Sequence, residues 1–203
     1  MKVICIGRNY AAHAAELKNP IPDEPVIFCK PDTSVLKNNQ PFYIPDFTND
    51  VHHELELVIR ICRQGKHIDE QFAPKYYDRF TLGIDFTARD LQQNLKEKSQ
   101  PWEKAKAFDG SAPVGRFVEI TEEMDVKNLE FALEKNGKCV QIGNTGDMLF
   151  HVNRIVAEVS KYFTLKVGDL IFTGTPKGVS AVKPGDRLKA FYNGECLLEC
   201  EIK

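Results

Sequence analysis

Apolar positions recur along this chain with two periods, and together they predict many short strands and few helices. The two-residue period is cleanest from Val51 to Cys62, where Leu55, Leu57, Ile59 and Ile61 share one face and Glu54, Glu56, Val58 and Arg60 share the other. Shorter runs predict an opening strand over Lys2–Ile6 that stops at Gly7, a buried strand over Val26–Cys29, loop plus edge strand between Asn38 and Phe47, and a strand over Phe80–Phe86 carrying Asp85 near its end. Gln64-Gly65 suits a hairpin turn after the Glu54/Glu56 strand. Asn136-Gly137 predicts a second hairpin between Leu129–Leu133 and Lys138–Ile142, and Asn193-Gly194 a third within Leu188–Ile202.

The helical period is scarcer. Ala11–Leu17 is Ala-rich and should end at Asn19-Pro20, Asp69–Arg79 reads as a connecting helix with a break, and Thr87–Leu95 begins a helix that Thr87 can cap. Met148, Val152, Ile155, Val156, Val159 and Tyr162 keep the helical spacing in one long amphipathic helix, with Asp147 its candidate cap. Ser99–Asp109 reads as loop, and Pro113–Gly115 as a turn. Strands dominate without regular alternation with helices, so the expected fold is α+β, strand-rich with few helices, in a single domain over residues 1–203.

Composition narrows the function classes. A net charge of −2 with scattered Lys and Arg gives no electrostatic case for nucleic acid or an anionic membrane. No run approaches the ~20 apolar residues of a membrane span, and the N-terminus lacks the apolar core of a signal peptide, so a soluble cytoplasmic protein is expected. Six cysteines invite a zinc or disulfide reading. Cys5, Cys29, Cys62 and Cys139 are isolated, however, and Cys196 with Cys200 lacks a second ligand pair, so small buried thiols are expected. Thr173–Gly178 lacks the spacing and the following helix of a phosphate loop.

The candidate chemistry lies in the charged positions. Glu54 and Glu56 project side by side with Cα atoms about 6.6 Å apart, so both could lean onto one small ion. The same strand equally suits a core face of Leu/Ile and a solvated face of Glu/Arg. His13 and Glu16, three apart on one helical face, could pair as a base and its orienting carboxylate, or as a surface ion pair. Pro20–Pro25 is an interrupted connector that would suit a mobile cover. Arg89 and Gln92 would share a helical face.

Six stretches then occur in order: Gly7-Arg8-Asn9-Tyr10 with His13 and Glu16; Phe28-Cys29-Lys30-Pro31 with Ser34; His53-Glu54-Leu55-Glu56-Leu57; Gly83-Ile84-Asp85-Phe86-Thr87-Ala88-Arg89-Asp90; Lys106-Ala107-Phe108-Asp109; and Thr173-Gly174-Thr175-Pro176-Lys177-Gly178. Each is weak alone. Together they cover the chain and resemble the fumarylacetoacetate hydrolase family, in particular its short single-domain members similar to acylpyruvate hydrolase and oxaloacetate decarboxylase.

The resemblance implies a mixed β-roll, a homodimer, and a divalent cation held by Glu54, Glu56 and Asp85. Three clustered carboxylates without a nearby counter-charge would repel by about 4 kcal/mol per pair at 4 Å and an effective dielectric of 20, which a cation relieves. All-oxygen ligation points to Mg²⁺, with Mn²⁺ as substitute. His52 and His53 are expected to be structural or supporting. By the same resemblance a small 2-oxo acid chelates the metal through its carboxylate and 2-oxo oxygens, and the metal stabilises the enolate left when the adjacent C–C bond breaks. His13 and Glu16 form the water-activating dyad on a lid segment of about residues 10–25. Lys106 joins them as a catalytic group at the substrate, Arg89 and Gln92 contact substrate, and Thr175 with nearby backbone N–H groups holds its carboxylate. Lys30 lies in a matching motif without an assigned role, and Arg8 is expected to shape the first turn.

The implied reaction is acylpyruvate hydrolysis or oxaloacetate decarboxylation. The alternatives are isomerisation of 2-hydroxyhepta-2,4-diene-1,7-dioate, hydration of a related 2-oxo-dienoate, and a non-catalytic metal-stabilised binding protein. The chain starts almost at the first motif, so the extra N-terminal domain of the longer hydrolases is expected to be missing and fumarylacetoacetate to be unsuited as a substrate.

Overall fold

A computed structural model describes residues 1–16 and 20–203. The alternating Val51–Cys62 segment forms strands, but in two pieces, Val51–His53 and Leu55–Ile61, with Glu54 at the break. The longer piece lies inside a six-stranded mixed sheet in the order Val26–Lys30, Val3–Gly7, Leu170–Phe172, Leu55–Ile61, Tyr77–Ile84, Val118–Glu119. Val3–Gly7 pairs with Leu170–Phe172 in parallel, and the other contacts are antiparallel. The shorter piece pairs instead with Ser180–Ala181 and Thr87–Ala88 in a small second sheet. The amide of Asp85 bridges the break by donating to the Glu54 carbonyl at 2.8 Å.

Leu55, Leu57, Ile59 and Ile61 pack into the main core with Phe80, Leu82 and Ile84, as the alternation predicts. The opposite face is covered too, because Val58 packs with Val3, Cys5, Leu170 and Phe172. A strand covered on both sides cannot send its carboxylates to water, so Glu54 and Glu56 are buried.

A separate four-stranded sheet orders Lys138–Asn144, Glu130–Lys135, Arg187–Tyr192 and Glu195–Glu201. Both Asn-Gly turns are present, with φ of 55° and 76° at Asn136 and Gly137 and of 48° and 75° at Asn193 and Gly194, the geometry that matches strand twist. Helices α1 (Ala11–Glu16), α2 (Arg89–Glu97), α3 (Glu103–Lys106) and α4 (Val152–Tyr162) complete the strand-rich α+β architecture; α4 is the expected amphipathic helix, burying Val152, Ile155, Val156 and Val159. No helix among the described residues is long and apolar enough to cross a membrane.

Several local expectations fail for identifiable reasons. Gln64-Gly65 is not a hairpin turn: Gly65 pairs with Leu165, and a 3-10 turn over Glu70–Tyr76, with Pro74 inside it, carries the chain to the next strand. A Cβ on Gly65 would stand 2.3 Å from the Tyr76 ring, so close packing, not turn geometry, requires glycine there. Thr87 does not cap α2; it is a strand residue whose hydroxyl donates to the Asp85 carbonyl at 3.2 Å, and the N-cap position falls on Ala88. Asp147 ends a 3-10 turn and α4 starts only at Val152. The loop expected at Ser99–Asp109 contains α3, the turn expected at Pro113 contains a short pairing of Ala112–Pro113 with Val35–Leu36, and the edge strand expected before Phe47 is a single bridge from Phe42 to Ile202. Val26–Cys29 is only half-buried, while the lysine that follows it is buried. The cysteines are free, but Cys139 and Cys196 are exposed rather than buried. Leu17 and the helix end expected at Asn19 lie outside the described residues.

Candidate active site

The strand break, the end of the neighbouring strand and the first turn of α2 meet at one point. Glu54, Glu56 and Asp85 each offer an oxygen there, all within 4.8 Å of one another, and all three side chains are buried. The resemblance supplied Asp85; two-residue alternation alone could bring only Glu54 and Glu56 together.

The expectation that this cluster lacks counter-charge does not hold. Lys106 Nζ sits 2.8 Å from Glu54 and 2.6 Å from Asp85, Arg89 Nη2 donates to Glu54 at 2.5 Å, and Lys30 Nζ lies 2.7 Å from Asp85. The cations come from α2, α3 and the end of the half-buried Val26–Lys30 strand, segments far away in sequence. They divide the triad unevenly. Burial opposes ionisation of Glu54, but Lys106 and Arg89 outweigh it and hold its carboxyl well below the usual carboxylate range. Glu56 forms no salt bridge among the described residues and accepts only the Gly174 amide, at 2.7 Å. Burial and the neighbouring Asp85 and Glu54 push its carboxyl well above that range. Burial alone would lower Lys106, yet Asp85 and Glu54 more than offset it, so the ammonium titrates above the ordinary lysine range and is a fixed cation.

Lys30 now has a place. Its ammonium also donates to the Ser111 hydroxyl at 2.9 Å and to the Lys106 carbonyl, so it fixes both Asp85 and the end of α3 from behind the pocket. A lysine closing an apolar run was the sequence signal for this.

His13 and Glu16 pair as their three-residue spacing predicts. His13 is buried and its Nδ1 lies 3.1 Å from Glu16, whose other oxygen accepts the Gly178 amide at 3.0 Å. With Nδ1–H donating to the carboxylate, Nε2 is left as a proton acceptor. Asn9 anchors the chain just before α1: its side chain donates to the carbonyls of Phe150 and Thr173 and accepts the Phe150 amide. Gly174 approaches so closely that a Cβ would stand 2.6 Å from that of Asn9, and its φ is 98°. Thr175 accepts from the Gln141 amide at 2.9 Å, and Gln141 also binds His53 and the Leu55 amide. His53 is thus a structural link, and burial lowers it to about 4, which keeps it neutral. Sequence reasoning missed Gln141, which sits in a hairpin strand that reads as ordinary surface alternation.

His13, Glu54, Glu56, Asp85, Arg89, Gln92, Lys106 and Thr175 are among the residues lining one pocket of about 30 Å³, and Glu16, bonded to His13, lies outside that lining. Gln92 accepts from Arg89 at 2.8 Å, which orients the guanidinium. The donor set fits a hard divalent cation: three carboxylate oxygens, no thiolate or imidazole among the converging atoms, and in Glu56 a buried carboxylate without a cationic partner. Three carboxylate oxygens around such a cation would leave positions open to a substrate.

Comparison with known proteins bears on what such a pocket does. The family model described as fumarylacetoacetate (FAA) hydrolase C-terminal matches residues 2–202. The chain is 41% identical over 197 residues to the oxaloacetate tautomerase YcgM of Escherichia coli, covering 97% of this chain and 90% of that protein. It is 42% identical over 194 residues to a mitochondrial oxaloacetate decarboxylase of Dictyostelium discoideum, covering 95% and 89%. In structure it resembles a fumarylpyruvate hydrolase from Pseudomonas aeruginosa solved with Mn²⁺ and pyruvate, at a TM-score of 0.93 and 35% identity, covering 100% of this chain and 89% of that one.

Proposed function

The chain belongs to the fumarylacetoacetate hydrolase C-terminal family, and from that premise we propose that it is a divalent-metal-dependent enzyme of small 2-oxo acids that works through the enolate at C3. Oxaloacetate is the substrate this reading favours, because relatives alike over nearly their whole length are named for it. The observation that carries the reading is the convergence of a buried carboxylate triad and the His13–Glu16 pair on one pocket. Held by Glu54, Glu56 and Asp85, a divalent cation, Mg²⁺ with Mn²⁺ as substitute, would supply Lewis-acid stabilisation of the negative charge that develops on the 2-oxo oxygen.

The protein's own groups account for the rest. Arg89, oriented by Gln92, and Thr175, held by Gln141, bind and align the substrate carboxylate. Lys106, a fixed cation, adds to the positive field over the reacting oxygen. His13 takes the C3 proton through Nε2 while the C–H electron pair becomes the C2–C3 double bond. Return of a proton to the oxygen completes tautomerisation, and Glu16 steadies the imidazolium in between. Decarboxylation would break the C3–C4 bond in place of the C–H bond: its electron pair becomes the C2–C3 double bond of pyruvate enolate as CO₂ leaves, and a proton then returns to C3.

A second reading is favoured by the same dyad. If His13 takes its proton from water, the resulting attack on a distal carbonyl cleaves an acylpyruvate, and pyruvate enolate leaves. In that case His13→Ala should lower acylpyruvate hydrolysis by about 10²- to 10⁴-fold while metal binding survives. Assembly as a homodimer in the cytoplasm belongs to this reading of the family.

The deciding experiment offers the Mg²⁺-loaded protein oxaloacetate, acetylpyruvate and 2-hydroxyhepta-2,4-diene-1,7-dioate in parallel, following enol–keto exchange and substrate loss by absorbance. Turnover of oxaloacetate is expected. Activity confined to the dienoate would replace this reading with an isomerase, and silence on all three with metal bound would favour a non-catalytic binding protein.

A further inference from the structure

The hairpin sheet places one amide where its alternation calls for an apolar side chain. Gln141 lies on the buried face of Lys138–Asn144, paired with Leu133 on the neighbouring strand, and is 2% exposed. Burying an amide there is tolerated only if its hydrogen-bonding positions are used, and all four are. Oε1 accepts the Leu55 amide at 3.0 Å and faces His53 Nδ1 at 2.9 Å. Nε2 donates to the Thr175 hydroxyl oxygen at 2.9 Å and to the Pro176 carbonyl at 3.0 Å.

These partners fix the direction of every bond. A backbone N–H only donates and a carbonyl only accepts, so the amide oxygen must face Leu55 and the nitrogen must face Pro176. His53 Nδ1, set against that oxygen, must then carry the ring proton, which leaves Nε2 to accept from the Ser180 hydroxyl at 2.8 Å. Lys135 Nζ donates to the same hydroxyl oxygen at 3.0 Å and to the Ala181 carbonyl at 3.0 Å. The hydrogens therefore all point one way, from Lys135 to Ser180, to His53, to Gln141 and on to Thr175. Because the Thr175 oxygen already receives a hydrogen, its own must go elsewhere. Among the described residues its acceptor is the Pro176 carbonyl at 3.4 Å, which is beyond the usual O–H···O range and already takes the shorter Gln141 bond. Thr175 lines the triad pocket, and the pocket is the direction left to that hydrogen.

We propose that Gln141 is a positioning residue that turns the Thr175 hydroxyl hydrogen into the pocket, and that Lys135, Ser180 and His53 hold Gln141 to that orientation. This rests on the reading that Thr175 meets the substrate carboxylate, and it adds what makes Thr175 a donor. A threonine hydroxyl free to rotate presents a lone pair to the pocket as readily as a hydrogen, and a lone pair repels a carboxylate oxygen. With Gln141 in place the donor is set before the substrate arrives, so binding carries no cost of reorienting it. The chain also ties both ends of the loop that bears Thr175: Ser180 pairs with His53 in the small sheet, while Thr175 and Pro176 take the Gln141 amide. Lys135, a cation at the outer end, polarises the whole chain in the same sense.

The test is a double-mutant cycle read by calorimetry, with pyruvate titrated into the Mg²⁺-loaded full chain. Thr175→Val removes the hydroxyl at nearly constant volume and should weaken pyruvate by about tenfold or more, the range of one hydrogen bond to a charged group. Gln141→Met keeps the length and loses the donor. It should weaken pyruvate by about threefold or more on its own, but by less than about twofold once Thr175 is valine, because the two changes remove one shared interaction. A Gln141 that only supports the fold would lower the urea midpoint and change pyruvate affinity by the same factor in both backgrounds, and that result overturns the proposal while the Thr175 contact stands. Unchanged affinity in Thr175→Val overturns the contact and the proposal together, and failure of pyruvate to bind the wild type overturns the 2-oxo acid reading as well. A check on the wild type depends on no variant folding: ¹⁵N NMR of the His53 ring in the Mg²⁺-loaded protein should place the proton on Nδ1. A proton on Nε2 instead would reverse the chain and overturn it.

Discussion

The four-stranded hairpin sheet and the strands around Glu54 are built from the same kind of sequence, alternating apolar and polar residues, yet they obey different rules. In the hairpin sheet the alternation is literal. Phe131 and Leu133, then Leu188, Ala190 and Tyr192, are buried, while their neighbours along each strand stay at least partly exposed. Around Glu54 nearly every residue is buried whatever its polarity, and the strand breaks at Glu54, where the chain passes from one sheet to another. Local pattern suffices where one face meets water. Where both faces are covered, buried charges have to be matched by groups from distant segments, and that matching makes the site.

The largest effect expected from breaking this contrast is at Glu56, the triad member with no cationic partner. Glu56→Gln keeps its shape and takes no counter-ion from any neighbour. Turnover of oxaloacetate should fall by about 10²-fold or more and Mg²⁺ affinity with it, because the variant removes one of the three carboxylates proposed to hold the Lewis acid. Stability to urea without metal should be unchanged or higher. Unchanged Mg²⁺ affinity would remove Glu56 from the ligand set.

Lys30→Met tests the opposite case, a charge whose partners do depend on it. Asp85 would keep only Lys106, and the Ser111 and Lys106 carbonyl contacts would be lost. Breaking one side of a buried ion network costs about 3–5 kcal/mol, so a large drop in the urea midpoint is expected. A cost under about 1 kcal/mol would mean that Lys30 is not what holds Asp85 in place.

These two sites also mark how far the sequence could be read. The hairpins were legible because Asn136-Gly137 and Asn193-Gly194 carry their turn geometry locally, and α4 because its apolar stripe runs for three turns. The pairing of Glu54 with Glu56 was legible as a two-residue spacing. His13 was legible as a pair with Glu16 from their helical spacing, but its place beside the triad came from resemblance to a family, as did Asp85 and Thr175, since no local rule says that the end of one strand, a six-residue helix and a glycine loop will meet. The compensating roles of Lys30, Lys106 and Arg89 were not legible at all. A cation's partner is fixed by tertiary packing, and the assumption of an uncompensated triad failed for that reason. Gln141 escaped notice because its burial depends on a histidine 88 residues away.

Gln141 and His53 join the two regions, and they predict a pH effect. The folded state protonates His53 near pH 4, chiefly because of burial, whereas the unfolded chain does so near 6.5. Stability contributed by the neutral ring is therefore complete above about pH 6.5 and is lost as pH falls toward 4, by up to about 3 kcal/mol. Urea titrations of the wild type and His53→Gln across that window should show a steeper acid loss for the wild type. Parallel curves would mean that other groups set the acid limit.

The smallest effect is expected in the hairpin sheet, and the same substitution sharpens the contrast when made in both regions. Gly137 has φ 76° with nothing within 4 Å of where a Cβ would stand, so Gly137→Ala meets only the left-handed backbone penalty, about 1 kcal/mol. Gly174 has φ 98°, and there a Cβ would also meet Asn9 at 2.6 Å while the residue's amide holds Glu56. Gly174→Ala should therefore cost clearly more stability and lower turnover as well, since moving the loop shifts both Asn9 and the Glu56 carboxylate proposed to hold the metal. For Gly137→Ala, kcat and KM for oxaloacetate should stay within about twofold of wild type. Equal stability losses at the two glycines would mean that the crowding at Gly174 relaxes at no cost. A loss of activity in Gly137→Ala would mean that the hairpin sheet bears on the site through Gln141 more directly than its packing implies.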